Sequence, residues 1–132
     1  MSHLDTAVPA AIHLDTIGQI AITVDDLARA KHFYQDTLGM KFLFDAGQLA
    51  FFKCGDIRLM LSTPEKSEPR GGTILYYKVD DIQATHAALR SHGVEFLQEP
   101  HLIAKMPDHD LWMAFLNDTE SNTIGIICEV RS

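Results

Sequence analysis

The chain repeats itself. Val24-Asp25-Asp26-Leu27 opens a stretch that closes on Leu38-Gly39-Met40-Lys41-Phe42-Leu43, and Val79-Asp80-Asp81-Ile82 opens another that closes on His92-Gly93-Val94-Glu95-Phe96-Leu97. The offset is 55 residues at the start and 54 at the end, so a one-residue gap aligns the copies. Ala50-Phe51-Phe52 recurs in the same sense as Ala114-Phe115-Leu116. A fixed internal offset reports a repeated structural unit. Two units in 132 residues predict two halves related by a pseudo-twofold axis, with a shared cleft between them where function should be sought.

Size and charge narrow the function classes. A chain of 132 residues with 46% hydrophobic content is one domain's worth of sequence with enough apolar material for a core. Its 18 acidic and 11 basic residues leave a net charge of −7, which argues against a nucleic-acid partner, since that needs clustered Lys and Arg. No polybasic run or long apolar stretch points to a membrane. The first residues lack the basic and apolar segments of a signal peptide. Cys54 and Cys128 follow no metal or redox spacing and read as buried thiols. A cytoplasmic protein is expected.

The local pattern predicts βαβββ twice. Residues 17–24 read as a strand, and Asp25 or Asp26 caps a helix. Leu27, Ala30, Phe33, Tyr34 and Leu38 supply its apolar stripe, and Gly39 ends it. Strands are expected at 40–45, 48–53 and 57–62, with turns at Ala46-Gly47 and Gly55-Asp56. Module one covers about 17–63 and a Pro- and Gly-containing linker covers 64–72. Module two, about 73–131, repeats the order: strand 73–79, helix 81–92, strand 94–98, an irregular stretch 99–110, and strands 111–117 and 123–130. Residues 1–16 read as an N-terminal tail. The fold class is therefore α+β: two βαβββ modules forming a cupped mixed sheet around a central cleft, with helices outside.

Alternate strand residues face opposite sides of a sheet. One face carries Ile20, Ile22, Val24, Leu59, Leu61, Leu75, Tyr77, Val79, Ile124, Ile126 and Cys128 and must lie under the helices. The other carries Gln19, Ala21, Thr23, Arg58, Met60, Ser62, Ile74, Tyr76, Lys78, Gly125, Ile127 and Glu129. Such a mixed face suits a ligand cleft; a solvated sheet face is the plainer alternative.

The run Ile20-Ala21-Ile22-Thr23-Val24-Asp25-Asp26-Leu27, then Phe33-Tyr34, Leu38-Gly39, the Val79-Asp80-Asp81-Ile82 copy and Ala114-Phe115-Leu116-Asn117-Asp118 together resemble the vicinal oxygen chelate superfamily. That superfamily includes glyoxalase I, methylmalonyl-CoA epimerase, extradiol dioxygenases, fosfomycin-modifying enzymes and bleomycin-binding proteins. The resemblance covers about residues 17–130 and implies the fold; it does not fix the reaction. In metal-dependent members it implies four ligands, from the first, fourth, fifth and eighth strands, typically His or Gln, Glu, His and Glu. They hold a divalent ion that acts as a Lewis acid. The matching positions here are Gln19, Met60, Ile74 and Gly125. Only Gln19 offers an oxygen ligand, so the usual metal site is expected to be absent; no cofactor is expected, with a divalent metal only at a displaced site.

Other polar groups remain as candidates. Gln19, His101 and Glu129 are the catalytic candidates, either as a displaced divalent-metal site or as acid–base groups. Asp108, His109 and Asp110 follow His101 in the same stretch, which resembles that of a bacterial subgroup labelled only glyoxalase-like. Turn and packing roles are the plain alternative for all of them. The pocket candidates are Arg58, Met60, Ile74, Tyr76, Trp112, Gly125 and Ile127. His32, His86 and His92 lie on helices and read as surface residues. Two functions follow: a cleft protein binding a small anionic or carbonyl-containing molecule without the family's metal, or a lyase, isomerase or epimerase using a displaced site. A homodimer is expected from the resemblance and from the apolar strands 40–53.

Overall fold

A computed structural model describes residue 13, residues 15–63 and residues 73–131. The linker expected at 64–72 and nearly all of the tail expected at 1–16 lie outside the described residues. The elements run β1 (Gln19–Thr23), α1 (Leu27–His32), β2 (Lys41–Ala46), β3 (Leu49–Cys54), β4 (Ile57–Ser62), β5 (Leu75–Lys78), α2 (Ile82–Ser91), β6 (Phe96–Lys105), β7 (Asp110–Asn117) and β8 (Thr123–Val130). This is βαβββ twice. The strands form two four-stranded mixed sheets, ordered β1-β4-β3-β2 and β5-β8-β7-β6. Each has one parallel pair, β1 with β4 and β5 with β8.

The repeated Asp pair explains the repeated helix starts. Asp26 and Asp81 are both extended, and their side chains accept from the backbone N–H of Arg29 and Ala84, three residues on. That satisfies an amide with no partner inside the helix. α1 then widens into a π-helical turn over Phe33–Thr37, which the apolar stripe alone did not foretell. Gly39, at φ +76°, takes the left-handed conformation that ends the element.

One core spans both modules. Val24, Tyr34, Phe52, Leu59, Leu61, Leu116, Ile124 and Cys128 are all buried in it. Phe52, Leu59 and Leu61 belong to module one and Leu116, Ile124 and Cys128 to module two, so the helix-side parity holds in both sheets. Cys54 and Cys128 are free thiols.

The largest departure from the sequence reading is β6. The stretch expected to be irregular at 99–110 is strand as far as Lys105. Its pairing with β7 shifts at three places, between Phe96 and Gln98, Gln98 and His101, and Leu102 and Ala104. Each shift breaks the alternation that makes a strand readable. Pro100 is tolerated because β6 is an edge strand, where a missing N–H costs no ladder bond. His86 also departs from expectation. It is half-buried, with its ring edge-to-face on Phe96 at 4.5 Å, whereas His32 and His92 are exposed.

Candidate functional site

The sheet faces opposite the helices carry the candidate site. In the first sheet Gln19 stands beside Arg58, and Ala21 beside Met60. The Gln19 Nε2 donates to Met60 Sδ at 3.8 Å, so this amide's partner is a thioether. The Arg58 guanidinium lies over the Phe51 ring, 5.5 Å from its centroid. Phe44, the cross-strand partner of Phe51, stacks with it, the two ring centroids 4.6 Å apart. These contacts make an apolar shelf with a cation on it.

The second sheet is built around Gly125. Tyr76 is its direct cross-strand neighbour. A Cβ on Gly125 would stand 2.5 Å from Tyr76 Cδ2 and 3.1 Å from Cγ. The ring therefore occupies the space where any side chain at 125 would begin. Phe115 pairs with Gly125 from the other side and meets Tyr76 edge-to-face, with centroids 5.8 Å apart. Tyr76 is 46% exposed and Ile74 is 39% exposed. The result is an aromatic floor open to solvent. Phe115 and Phe51 are the site residues that sequence reasoning passed over. Their signal was strand parity: Phe115 stands between buried Ala114 and Leu116, and Phe51, itself buried, between Ala50 and Phe52 of the helix-side core.

The remaining candidates divide as follows. Ile127 joins Lys78 and Met113 in one cross-strand row, and His101 continues that row onto β6. His101 Nδ1 lies 2.8 Å from the Glu99 carbonyl, which places the proton on Nδ1 and leaves Nε2 for another partner. Glu129 is held by Arg131 at 2.6 Å and faces Lys78 at 3.8 Å. Arg131 continues to Asp108, and Asp108 to His109, at 3.1 and 2.7 Å. The hydrogen bond from His109, with Arg131 beside it, holds the Asp108 carboxyl below the usual carboxylate range. Asp108, His109 and Glu129 thus form an ion-pair chain at the sheet end. Gln19 belongs to the other sheet and is not part of it.

Trp112 corrects the sequence reading. It pairs with Cys128, shares its parity with buried Ala114 and Leu116, and packs against the core. It lies beside Asp80, Asp81 and Ile82 on the helix side, so it does not line the cleft face. Strand parity across 112, 114 and 116 dictates this.

A cavity of about 230 Å³ opens at the seam between the sheets, lined by Ile20, Ile22, Tyr34, Leu75, Tyr77 and Asn122. The buried Tyr77 hydroxyl has no hydrogen-bond partner among the described residues. Burial, then the Cys54 thiol and Asp118, push its pKa up, so it stays a neutral donor.

The four positions that the resemblance assigns to a metal do not fit one. Gln19 bonds a thioether, Met60 is a soft ligand, Ile74 has no donor atom, and the space at Gly125 is taken by an aromatic ring. Among the described residues, no group of three or more His, Cys, Asp and Glu is arranged to hold an ion.

Comparison with known proteins places this arrangement in a family. The sequence model of the Glyoxalase/Bleomycin resistance protein/Dioxygenase superfamily matches residues 16–124, and the chain belongs to that superfamily. It is 33% identical over 119 residues to a glyoxylase-like domain-containing protein of Didymella fabae, covering 83% of this chain and 91% of that one. Its fold is similar to that of a lactoylglutathione lyase from Agrobacterium tumefaciens, with TM-score 0.71 at 22% identity, over 86% of this chain and 93% of that one. It is also similar to a superfamily member from Sphaerobacter thermophilus, with TM-score 0.74 at 20% identity, over 88% and 98% of the two chains. At these identities the structural likeness speaks for the fold. No helix among the described residues is long and apolar enough to cross a membrane.

Proposed function

We propose that this chain binds a small anionic or carbonyl-containing molecule on the cleft face without the superfamily's usual metal. One observation carries the reading: the Tyr76 ring packs onto Gly125 where a ligand-bearing side chain would have to start. Arg58, standing over Phe51, supplies attraction for an anion, while Tyr76, Phe115 and Met60 offer apolar contact. The alternative, a lyase, isomerase or epimerase using Gln19, His101 and Glu129, draws on the Nε2 of His101, which the Nδ1 contact with the Glu99 carbonyl leaves for another partner. Against it, Glu129 is already engaged by Arg131 and Lys78.

The test has two parts. After purification without chelator, elemental analysis should find Zn, Ni, Mn and Fe well below one ion per chain. A thermal-shift screen of small 2-oxo acids and acyl thioesters should then find a stabilising compound whose effect does not depend on added metal. Arg58→Ala should weaken that compound by about tenfold or more, because the charge it faced is left without its partner. One tightly held ion per chain would overturn the reading.

The chain is also expected to form a homodimer. Leu43 and Phe44 on β2, and Leu97, Leu102 and Ile103 on β6, are exposed apolar side chains on the two sheet edges, and exposed edges invite pairing. Light scattering at micromolar concentration should report about twice the 14.7 kDa chain mass. A monomer across that range would count against it.

A further inference from the structure

Lys41, Lys53 and Arg58 stand side by side. Lys41 pairs directly with Lys53 across β2 and β3, and Lys53 pairs directly with Arg58 across β3 and β4. Gln19 extends the row onto β1. Direct cross-strand partners share a face, and all four residues are exposed. Neighbouring strands lie roughly 5 Å apart, so three cations fall within about 10 Å of sheet.

This arrangement is unfavourable in isolation. Like charges directly opposite destabilise a sheet. The chain has 18 acidic residues with which to relieve it, and elsewhere it does so. Arg29, Lys31, Lys78, Arg90, Lys105 and Arg131 each have a carboxylate within ion-pair distance. Among the described residues, Lys41, Lys53 and Arg58 are the lysines and arginines that have none. Among the described residues, the same face of the first sheet holds no carboxylate. Its members are Gln19, Ala21 and Thr23 on β1, Lys41, Phe44 and Ala46 on β2, Leu49, Phe51 and Lys53 on β3, and Arg58, Met60 and Ser62 on β4. Asp45, the acidic residue of these strands, turns the other way to meet Lys31 of α1 at 2.9 Å. Asp56 sits in the adjoining turn and makes no ion pair with the row. A face with three positive charges on a protein of net charge −7 is a local field of one sign, which concentrates anions of the opposite sign.

We propose that the Lys41–Lys53–Arg58 row binds a group carrying two or more negative charges on a small ligand, diphosphate being the type. This rests on the reading of the cleft face as a ligand face and names the chemistry at one end of it. The anionic group lies along the row, Arg58 and Lys53 donate to its oxygens, and the rest of the ligand extends over Phe51 and Phe44. A singly charged carboxylate needs Arg58 alone; the second and third cations are explained only by a larger charge.

The experiment uses the full chain with pyrophosphate as probe, read by calorimetry and by melting temperature against sodium chloride of equal ionic strength. Pyrophosphate should bind and raise the melting temperature, whereas acetate should not. Lys53→Gln and Arg58→Gln should each weaken pyrophosphate about tenfold or more, as loss of a charge-assisted hydrogen bond does. Lys105→Gln, whose cation is paired to Asp110 on another sheet, should leave it unchanged. Without anion and at low ionic strength, Lys53→Gln should melt higher than the parent, because it relieves two like-charge contacts. Equal pyrophosphate binding in parent and Lys53→Gln overturns the proposal, as does binding to an oligonucleotide with none to pyrophosphate. The two readings fail separately. A 2-oxo acid that binds through Arg58 and ignores Lys53→Gln leaves the proposed function standing and removes the row, whereas pyrophosphate binding with one metal ion per chain does the reverse.

Discussion

Asp118→Ala should unfold this protein more readily than any surface change, at a cost of about 3–5 kcal/mol. Asp118 is buried, and its carboxylate accepts from four donors: the Tyr34 hydroxyl at 2.7 Å, the backbone amides of Glu120 and Asn122 at 2.8 Å, and the Asn122 side chain at 2.9 Å. Removing it strands a buried phenol and two amides together. The phenol cannot escape by ionising, since its burial, the largest cause of its raised pKa, remains in the variant. Asn122 also donates to the Thr23 carbonyl at 3.0 Å, so the cluster ties the β7–β8 turn of module two to β1 and α1 of module one. Tyr34→Phe deletes one of the four bonds while keeping the ring, and should cost about 1–2 kcal/mol. Urea denaturation of both single variants and the double variant should show strong non-additivity. Additive losses would mean that the four contacts act independently.

Acid should destabilise the fold through Glu120, with a loss of about 3 kcal/mol between pH 4.5 and pH 2. The Glu120 side chain is fully buried. Burial by itself would push its pKa up, but Arg29, the amides of Asp26 and Asp25, and the Thr119 hydroxyl outweigh that and hold it at about 2, against 4.5 ordinarily. Arg29 contacts it at 2.7 and 3.1 Å, and the two amides at 2.9 Å each. The sign follows from the direction of the shift. A carboxyl with a depressed folded pKa takes up protons in the unfolded chain first. Its stabilisation is therefore complete above pH 4.5 and disappears as pH falls through 2. Arg29 is 53% exposed, so salt should trim the effect. Glu120→Gln, which sets an amide donor against amide donors, should be destabilised at pH 7 and show a flatter pH profile. Parallel profiles for the two proteins between pH 5 and pH 2 would remove Glu120 from this role.

The repeat, the two helices and most strand positions were readable because each depends on near neighbours. Asp26 and Asp81 cap helices three residues ahead, Gly39 needs only its own backbone freedom, and alternation in β1, β4, β5 and β8 separates helix side from cleft side. The sequence alone also determined that Ile74 and Gly125 carry no metal-binding side chain. Tertiary structure decided the rest, because the remaining features depend on which residue stands opposite which. Bulges hid β6, and the long-range partners of Asp118 and Glu120, 84 and 91 residues away at Tyr34 and Arg29, have no local signature. Lys41, Lys53 and Arg58 are scattered along the chain and become a row only through the strand register. The Tyr76 ring over Gly125 is likewise a contact between two parallel strands 49 positions apart in sequence, set by pairing that no local pattern encodes.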